Sequence, residues 1–325
     1  MILVTGGAGY IGSHMVYLLL KNGYDIVVVD NLEKGHSKAI LGGKFYCGDL
    51  KDKDFLEKVF SENEIEAVIH FAASSLVGES VVNPIKYYYN NVYGTTNLID
   101  AMIKHDVKKI VFSSTAAVYG EPENIPILET DKTLPTNPYG ETKLAIEKML
   151  NWVDCAHGLK YVSLRYFNVA GAHLDGLIGE DHKPETHLIP IILQTALNKR
   201  EKVTVYGNDY DTKDGTCIRD YIHVLDLCEA HLLALEFLKE NKKSEIFNLG
   251  NGMGFSVLEV INKAIEITGV NIKYEFGQRR AGDPSILVAS DKKAKEVLKW
   301  NPKYADLSTI IASAWNWHKK NPDGY

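Results

Sequence analysis

The sequence has few cysteines, no excess of positive charge and no long apolar run. Its 325 residues include four cysteines, and none forms a C-x-x-C pair or has a histidine at metal-ligand spacing. This indicates reduced thiols in a cytoplasmic protein, and we expect no metal site. The formal net charge of −6 argues against a nucleic-acid partner. No apolar stretch approaches the roughly 18 residues of a membrane helix, so we expect a soluble protein with no membrane partner.

The first two thirds of the chain alternate short apolar runs with amphipathic segments. The apolar runs are rich in Val and Ile and predict buried strands at Ile2–Thr5, Ile26–Val29, Ala67–Phe71, Lys109–Ser113 and Tyr161–Tyr166. The amphipathic segments predict helices at Tyr10–Asn22, Lys53–Glu62, Pro84–His105 and Tyr139–His157. Repetition of strand, helix and strand predicts an α/β fold with a doubly wound parallel sheet, the Rossmann arrangement.

The pattern changes after Asn168. The stretch from Gly171 to Thr186 has no periodicity and predicts a long functional loop. Beyond it, shorter helices and strands alternate, which predicts a smaller mixed α/β C-terminal region. We expect a dinucleotide-binding domain over 1–168, with contributions from later segments, and a mainly substrate-binding domain over 169–325.

A glycine-rich turn lies between the first predicted strand and the first predicted helix. Gly6, Gly9 and Gly12 follow a G-x-x-G-x-x-G spacing, which lets the backbone approach a pyrophosphate. The helix N-terminus there offers N–H groups and partial positive charge to the phosphates. The second strand ends in Asp30, whose carboxylate can accept both ribose hydroxyls and would repel a 2′-phosphate. These residues predict a site for NAD rather than NADP, although Asp30 alone would also suit a cap on the following turn.

Later strand ends add residues at the same edge of the predicted sheet. Asp49 is suited to the adenine amino group, and the small Ala72–Ala73 pair lets backbone approach the cofactor. Plain packing explains the two alanines equally well.

A candidate catalytic group follows the fourth predicted strand of the repeat. Tyr139 and Lys143 are four residues apart, so they lie on one face of a helix within reach of a common ligand. A free tyrosine titrates near pH ~10, but a neighbouring ammonium and a positive nicotinamide both favour its phenolate. Thr115 supplies a hydroxyl that would share the substrate proton. This arrangement predicts Tyr139 as a general base.

Over essentially its whole length, the chain resembles the extended short-chain dehydrogenase/reductase family and, within it, the UDP-sugar 4-epimerases. The segments that carry the resemblance are VTGGAGYIGSH (Val4–His14), HFAASSLVGES (His70–Ser80), FSSTAAVYG (Phe112–Gly120), PYGETK (Pro138–Lys143), LRYFNVAGAH (Leu164–His173), YGNDYDTKDGTCIRDYIHVLDL (Tyr206–Leu227) and RRAGDP (Arg279–Pro284). The resemblance implies reversible epimerisation at C4 of UDP-glucose and UDP-galactose through a 4-keto intermediate. It further implies a tightly bound NAD that is regenerated in each turnover.

The resemblance also assigns binding residues. For the cofactor it adds Tyr10, Ile11, Asn31, Leu50, Phe71, Asn90 and Phe167 to Asp30, Asp49, Tyr139 and Lys143. For the UDP-sugar it implies Asn168, His187, Leu188, Tyr206, Arg219, Arg280 and Asp283, beside Thr115 and Tyr139. Arg219 and Arg280 are suited to a diphosphate through charge-assisted bonds, or else they are surface arginines paired to Asp220 or Asp283.

Three positions depart from the family pattern. Thr115 stands where many members have serine, and since a hydroxyl is kept we expect the same role. Ser75 stands where some members place a lysine near the cofactor phosphates, which leaves that contact open. Leu287 stands at the position that limits room around the C2 substituent of the sugar, so N-acetylated UDP-sugars are an alternative or additional substrate.

Other activities and the quaternary structure follow from the same resemblance. A sugar-nucleotide 4,6-dehydratase needs an acid and a base beside Thr115, whereas this chain has Ala116 and Ala117 there. A reductase that releases its cofactor is an alternative that the residues alone leave open. In the family, the helices predicted at Pro84–His105 and Tyr139–His157 form a contact between subunits, so we expect a homodimer.

Overall fold

The computed structural model describes residues 1–241, 243–280 and 284–325. In chain order its strands are β1 (Ile2–Thr5), β2 (Ile26–Asp30), β3 (Lys44–Cys47), β4 (Ala67–His70), β5 (Lys109–Ser113), β6 (Lys160–Tyr166), β7 (Asn168–Ala170), β8 (Val203–Tyr206), β9 (Ile218–Arg219), β10 (Tyr221–His223), β11 (Glu245–Leu249), β12 (Phe255–Ser256), β13 (Tyr274–Gly277) and β14 (Ile286–Leu287). Its α-helices are α1 (Tyr10–Lys21), α2 (Lys53–Ser61), α3 (Val77–Val82), α4 (Pro84–Tyr87), α5 (Gly94–Lys104), α6 (Pro138–His157), α7 (Leu188–Ala196), α8 (Val224–Asn241), α9 (Val257–Thr268) and α10 (Leu307–Lys320).

A seven-stranded parallel sheet forms the centre of the fold. Its order is β11-β6-β5-β4-β1-β2-β3, so the direction of winding reverses between β1 and β4. This confirms the predicted doubly wound sheet. The five predicted strands are all present, with ends that differ by one residue at most. The prediction missed β3 because this edge strand is only four residues long and largely exposed.

Alternate residues of each central strand face opposite layers of helices. In β1, Ile2 and Val4 pack with α1 and α8, whereas Leu3 packs with α2, α5 and α6. Both faces of these strands are therefore apolar and buried. This is why the strands appear in the sequence as continuous hydrophobic runs rather than alternating ones.

The helix predicted over Pro84–His105 consists of three consecutive segments. A π-helical turn at Tyr88–Tyr93 separates α4 from α5. It brings Asn91 inward, where the amide donates to the Ser74 carbonyl at 3.0 Å and to the Thr142 hydroxyl at 3.1 Å. Such turns are common at functional sites because they turn a side chain away from the regular helical register.

The C-terminal half contributes to two layers of the molecule. β11 pairs with β6, and α8 packs against α1, so both complete the central sheet. α7, α9 and α10 pack with β8 around a separate apolar core that includes Ile192, Val205, Ile261 and Ile310. This smaller mixed unit confirms the predicted C-terminal region. Among the described residues, no helix has both the length and the apolar character required to cross a membrane.

Candidate active site

The glycine turn brings three backbone segments into direct contact at the carboxyl ends of β1 and β4. Gly6 has φ +71°, and a Cβ on it would lie 2.6 Å from the Ala72 nitrogen. A Cβ on Gly12 would lie 2.1 Å from the Gly6 carbonyl oxygen. Within the described residues, no side chain caps the α1 N-terminus at Gly9. This close approach of backbone requires glycine, and the N–H groups at the start of α1, which no side chain of the described residues caps, suit a dinucleotide pyrophosphate.

Asp30 holds the end of β2 against this turn. Its carboxylate accepts the Ala8 N–H at 3.0 Å and the Leu32 N–H at 2.8 Å. Burial raises the pKa of Asp30, and these two N–H groups act against that rise. Asp30 therefore does cap the following turn, through the Leu32 N–H. Its bond to the Ala8 N–H directs the same carboxylate toward the glycine turn.

A polar network joins three of the residues that the resemblance assigned to the cofactor. The Asn31 amide donates to Asp49 at 2.9 Å, and the Lys51 ammonium pairs with Asp49 at 2.9 Å. Lys51 also donates to Asn90 at 2.9 Å, and Asn90 donates to the Ser74 hydroxyl at 3.2 Å. Sequence reasoning missed Lys51, because a lysine in a polar segment has the pattern of an ordinary solvated side chain.

The apolar candidates occupy different surroundings. Leu50 is buried beneath the same edge of the sheet, and Phe71 lies against the His231 ring with centroids 4.7 Å apart. Tyr10 donates its hydroxyl to the Gly171 carbonyl at 2.6 Å, and Ile11 follows it in α1. These contacts link the carboxyl ends of β1 and β4 to α8 and to the long loop after β7.

Tyr139 and Lys143 lie in the first two turns of α6, on one face. The helix starts with Asn137, whose side chain accepts the Gly140 N–H at 2.9 Å, and with Pro138 in its first turn. The Lys143 ammonium donates to the Ser113 carbonyl at 2.8 Å and lies 5.9 Å from the Tyr139 ring centroid. Thr115, buried at the end of β5, hydrogen-bonds Tyr139 through its side chain. The three predicted catalytic residues therefore lie together at the sheet edge.

The titration of this group differs from the expectation. Burial raises the pKa of Tyr139 to about 12, and only the Thr115 hydrogen bond acts in the opposite direction. Burial also lowers the pKa of Lys143 to about 7, against the attraction of the Glu147 carboxylate. The prediction that the Lys143 ammonium would lower the Tyr139 pKa is therefore wrong for the chain by itself. An apolar environment destabilises both the phenolate and the ammonium.

A buried ion pair joins α6 to the neighbouring strand β6. Glu147 accepts from the Arg165 guanidinium at 2.9 and 2.5 Å and from the Ser114 hydroxyl at 2.6 Å. Arg165 also donates to Tyr119 at 2.9 Å, and Tyr119 donates to Asn248 at 2.6 Å. This network connects α6, the β5–α6 segment, β6 and β11. It fixes the position of Thr115 relative to Tyr139, because Ser114 precedes Thr115 directly.

Three of the predicted substrate residues converge through backbone contacts. The Asn168 N–H donates to the Asp220 carbonyl at 3.2 Å, and the Asp220 N–H donates to the Leu287 carbonyl at 3.0 Å. Arg219 is the register partner of Leu287 between β9 and β14. Leu287 and Phe167 both pack against the apolar cluster formed by Ala116, Val118, Tyr119, Ile127 and Leu144. Leu287 is therefore adjacent to the segment that follows Thr115.

The Asp220 carboxylate does not stand at the surface. It is fully buried and accepts N–H groups from Asn251, Gly252 and Ala289. Burial raises its pKa to about 6 against these hydrogen bonds. Its part in the structure is to join three backbone segments around β9.

The remaining substrate candidates lie on more exposed segments. The Arg280 guanidinium stacks on the Tyr206 ring at 4.0 Å from the centroid, which keeps both side chains together. Asp283 lies outside the described residues. His187 precedes α7 and pairs with Glu180 at 2.7 Å and Glu185 at 3.3 Å. Leu188 packs on the core of the C-terminal unit.

The sheet topology, the glycine turn and the Tyr139–Lys143 pair define a dinucleotide-dependent enzyme of the short-chain dehydrogenase/reductase type. The chain belongs to the NAD dependent epimerase/dehydratase family, whose model matches residues 2–250. It is 60% identical over 324 residues to the UDP-glucose 4-epimerase of Halalkalibacterium halodurans, an alignment that covers 100% of this chain and 97% of that protein.

Solved structures agree with this relationship. A crystal structure of a UDP-glucose 4-epimerase is 58% identical with a TM-score of 0.98, covering 100% of this chain and 99% of that one. The UDP-glucose 4-epimerase from Bifidobacterium longum, solved in complex with NAD+ and UDP, is 44% identical with a TM-score of 0.95. That match covers 100% of this chain and 99% of the other.

We expect Arg165→Met to destabilise the chain, because it leaves the Glu147 carboxylate buried without its partner. The free energy of unfolding should fall by about 3–5 kcal/mol, as measured by urea denaturation. Lys160→Met is the matched control, since Lys160 pairs with Asp154 at a partly exposed position and should cost less than about 1 kcal/mol. Equal losses in the two variants would contradict the assigned importance of the buried pair.

Proposed function

We propose that the chain is an NAD-dependent isomerase that interconverts UDP-glucose and UDP-galactose by epimerisation at C4. The observation that carries this proposal is the Thr115–Tyr139–Lys143 group, which lies at the same sheet edge as the glycine turn. Family membership and the UDP-glucose 4-epimerase names of the relatives support the same activity. The alternative of an N-acetylated UDP-sugar as main substrate is not favoured by those names.

The residues at the sheet edge fit NAD. Gly6, Gly9 and Gly12 would receive the pyrophosphate, with Tyr10 and Ile11 at the helix N-terminus, and Asp30 would receive the adenosine ribose. Asn31, Asp49 and Asn90 form the polar network expected to surround the adenosine half. When bound, NAD supplies the hydride acceptor and a positive charge that favours the phenolate of Tyr139.

The chain's own residues would hold and move the proton. Tyr139 is placed to accept the proton of the sugar 4-hydroxyl, and Thr115 hydrogen-bonds the phenol oxygen and orients it. Lys143 is held by the Ser113 carbonyl, which limits its movement beside the Tyr139 ring. Burial raises the pKa of Tyr139 to about 12 despite the Thr115 hydrogen bond, so in the chain by itself these side chains orient the base and leave it protonated.

The proposed UDP-sugar lies between the two halves of the chain. Arg219 and Arg280 would bind the diphosphate, and Tyr206 supports Arg280 by stacking. Asn168, His187 and Leu188 flank this region at the starts of β7 and α7. Leu287, packed beside the Ala116 cluster, would limit the space around the sugar ring.

The experiment that tests the activity is NMR of UDP-galactose incubated with purified protein and no added NAD. We expect UDP-glucose to appear, because a cofactor that is regenerated in each turnover stays bound. Folded, NAD-loaded protein that forms no UDP-glucose would overturn the proposal. Release of NADH in amounts equal to an oxidised sugar nucleotide, seen only after NAD is added, would instead support an oxidoreductase that releases its cofactor.

Replacing Tyr139 by Phe tests the proposed base. We expect Tyr139→Phe to keep its NAD and lose turnover by about 10²–10⁴-fold, because the proton acceptor is removed while the ring is kept. Tyr274→Phe, at an exposed position of β13, serves as the control and should be unchanged. The measurements are initial rates by coupled assay and bound NAD by absorbance. Near-normal turnover of Tyr139→Phe would remove this residue from the chemistry.

We propose further that the chain forms a homodimer through the helices over Pro84–His105, which are α4, the π-helical turn and α5, and through α6, with α3 beside them. Large apolar side chains are exposed on this face: Val82 is 81%, Ile85 76% and Trp152 73% exposed. Tyr89 and Tyr93, in the π-helical turn, are also exposed, and their rings stack with centroids 5.1 Å apart. An exposed apolar area of this kind marks an interaction site rather than ordinary surface.

We also propose the cytoplasm as the location of the protein. Its four cysteines are free thiols, which fit a reducing compartment.

A charge placed in this face should separate the subunits. We expect Trp152→Glu to sediment as a monomer, because a buried carboxylate in an apolar interface is costly. Val297→Glu is the control, since Val297 is exposed in another part of the surface. Sedimentation velocity distinguishes the two forms. A native chain that is already monomeric at all concentrations would contradict the dimer.

A further inference from the structure

A cluster of two histidines and two glutamates lies in the long loop before α7. We call Glu180, His182, Glu185 and His187 the loop cluster. Each offers one ligand atom, and the four atoms lie within 4.8 Å of one another. All four residues belong to the segment Gly179–His187, in an E-x-H-x-x-E-x-H pattern. The expectation of no metal depended on cysteine spacing, and this cluster contains no cysteine.

We propose that the loop cluster binds one Zn²⁺ ion. Ligand atoms at tetrahedral Zn²⁺, with bonds of about 2.0–2.1 Å, are separated by about 3.3–3.4 Å. The His187 Nδ1 lies 2.7 Å from a Glu180 oxygen and 3.3 Å from a Glu185 oxygen. The His182 Nδ1 lies 3.2 Å from Glu180 and 3.8 Å from Glu185. These four separations are distributed around the tetrahedral value, so small side-chain rotations would accommodate the ion.

The burial of the cluster favours a cation. Glu180 and Glu185 are 4% and 6% exposed, so two buried carboxylates lie five residues apart in the loop. Buried carboxylates require compensating positive charge, and a divalent cation supplies it in full. The His182 Nδ1 is buried and has no hydrogen-bond partner of good geometry among the described residues. A lone pair directed at a metal would satisfy that atom.

The surroundings also orient the ligands. The Glu185 carboxylate accepts the N–H groups of Thr186 at 2.8 Å and His187 at 2.9 Å. Such hydrogen bonds to a ligating carboxylate fix its direction before the metal enters. A combination of imidazole nitrogens and carboxylate oxygens suits Zn²⁺, whereas Ca²⁺ and Mg²⁺ prefer oxygen ligands alone. Four protein ligands fill a tetrahedral sphere, which indicates a structural ion rather than a catalytic one.

The position of the loop cluster explains what such an ion would do. The His182 ring meets the Tyr10 ring edge-on at 6.5 Å, and Tyr10 lies at the glycine turn. His36, after β2, hydrogen-bonds the Asp181 carbonyl at 3.0 Å. His187 immediately precedes α7. The ion would therefore hold the long loop against the cofactor edge on one side and the C-terminal unit on the other.

Metal content and geometry provide the first test, and neither measurement depends on substrate or activity. Purified protein, loaded with ZnCl₂ and dialysed, should retain about one Zn²⁺ per chain by mass spectrometry of the metal. Chelator-treated protein given Co²⁺ should show the intense visible bands of tetrahedral coordination. Protein that retains no Zn²⁺ and whose melting temperature ZnCl₂ leaves unchanged would overturn the proposal, since the contacts of His182 and His187 would then hold the two carboxylates without an ion.

Variants of the cluster provide the second test. His182→Gln and Glu185→Gln should each weaken Zn²⁺ binding by at least about 100-fold and remove the melting-temperature gain from ZnCl₂. Asp175→Asn is the matched control, because Asp175 stands 3.8 Å from His173 in the same loop but outside the cluster. It should bind Zn²⁺ normally. Should one cluster variant fail to fold, the other decides; normal Zn²⁺ binding by a folded cluster variant, or an equal loss in Asp175→Asn, would overturn the proposal.

Discussion

The rest of the structure depends on the close approach of backbone at Gly6, Gly12 and Ala72. Cβ atoms at Gly6 or Gly12 would meet main-chain atoms at 2.6 Å or less, so β1, α1 and the end of β4 are joined without intervening side chains. That contact sets how closely α1 packs on the sheet and directs its N-terminal N–H groups at the edge where the strands end. Asp30, Asp49 and the Thr115–Tyr139–Lys143 group are arranged around that edge, whereas Tyr206 and Arg280 lie together outside the central sheet.

The second constraint is the buried pair of Glu147 and Arg165. A charge pair in the interior contributes little net stability compared with an apolar pair, but it tolerates only one geometry. Here the geometry relates α6 to Ser114 and, through Tyr119 and Asn248, to a strand from the far half of the chain. Precise placement of Thr115 beside Tyr139 is the use that this arrangement suggests, since a shift of about 1 Å is costly in catalysis.

Much of the central sheet and the glycine turn could be predicted from the sequence, because one physical requirement, burial or close backbone approach, decides which residues occur there. The strands β1, β2, β4, β5 and β6 are buried on both faces and therefore read as apolar runs, and glycines at fixed spacing identify the turn. β3 was missed because it is exposed. Lys51 was missed because its role depends on Asn31, Asp49 and Asn90, which only the fold brings together.

The Tyr139 pKa shows a different limit. Helical spacing correctly placed Lys143 on the same face, but spacing carries no information on how dry the environment is, and burial dominates the pKa of both side chains. The loop cluster shows another feature that the sequence did not predict. Its residues stand close together in the sequence, but they include no cysteine, so the cysteine spacing carries no information about them.

The position of β11 has a consequence for how the protein is made. β6 receives its outer neighbour from residues 245–249, and α8 covers the face formed by α1 and β1. During synthesis, a nascent chain that has reached Asn168 exposes an unpaired strand edge and an apolar helix face until about eighty more residues have left the ribosome. Completion of the sheet therefore waits for the second half of the chain, and between β6 and β11 these apolar surfaces are open to chaperones.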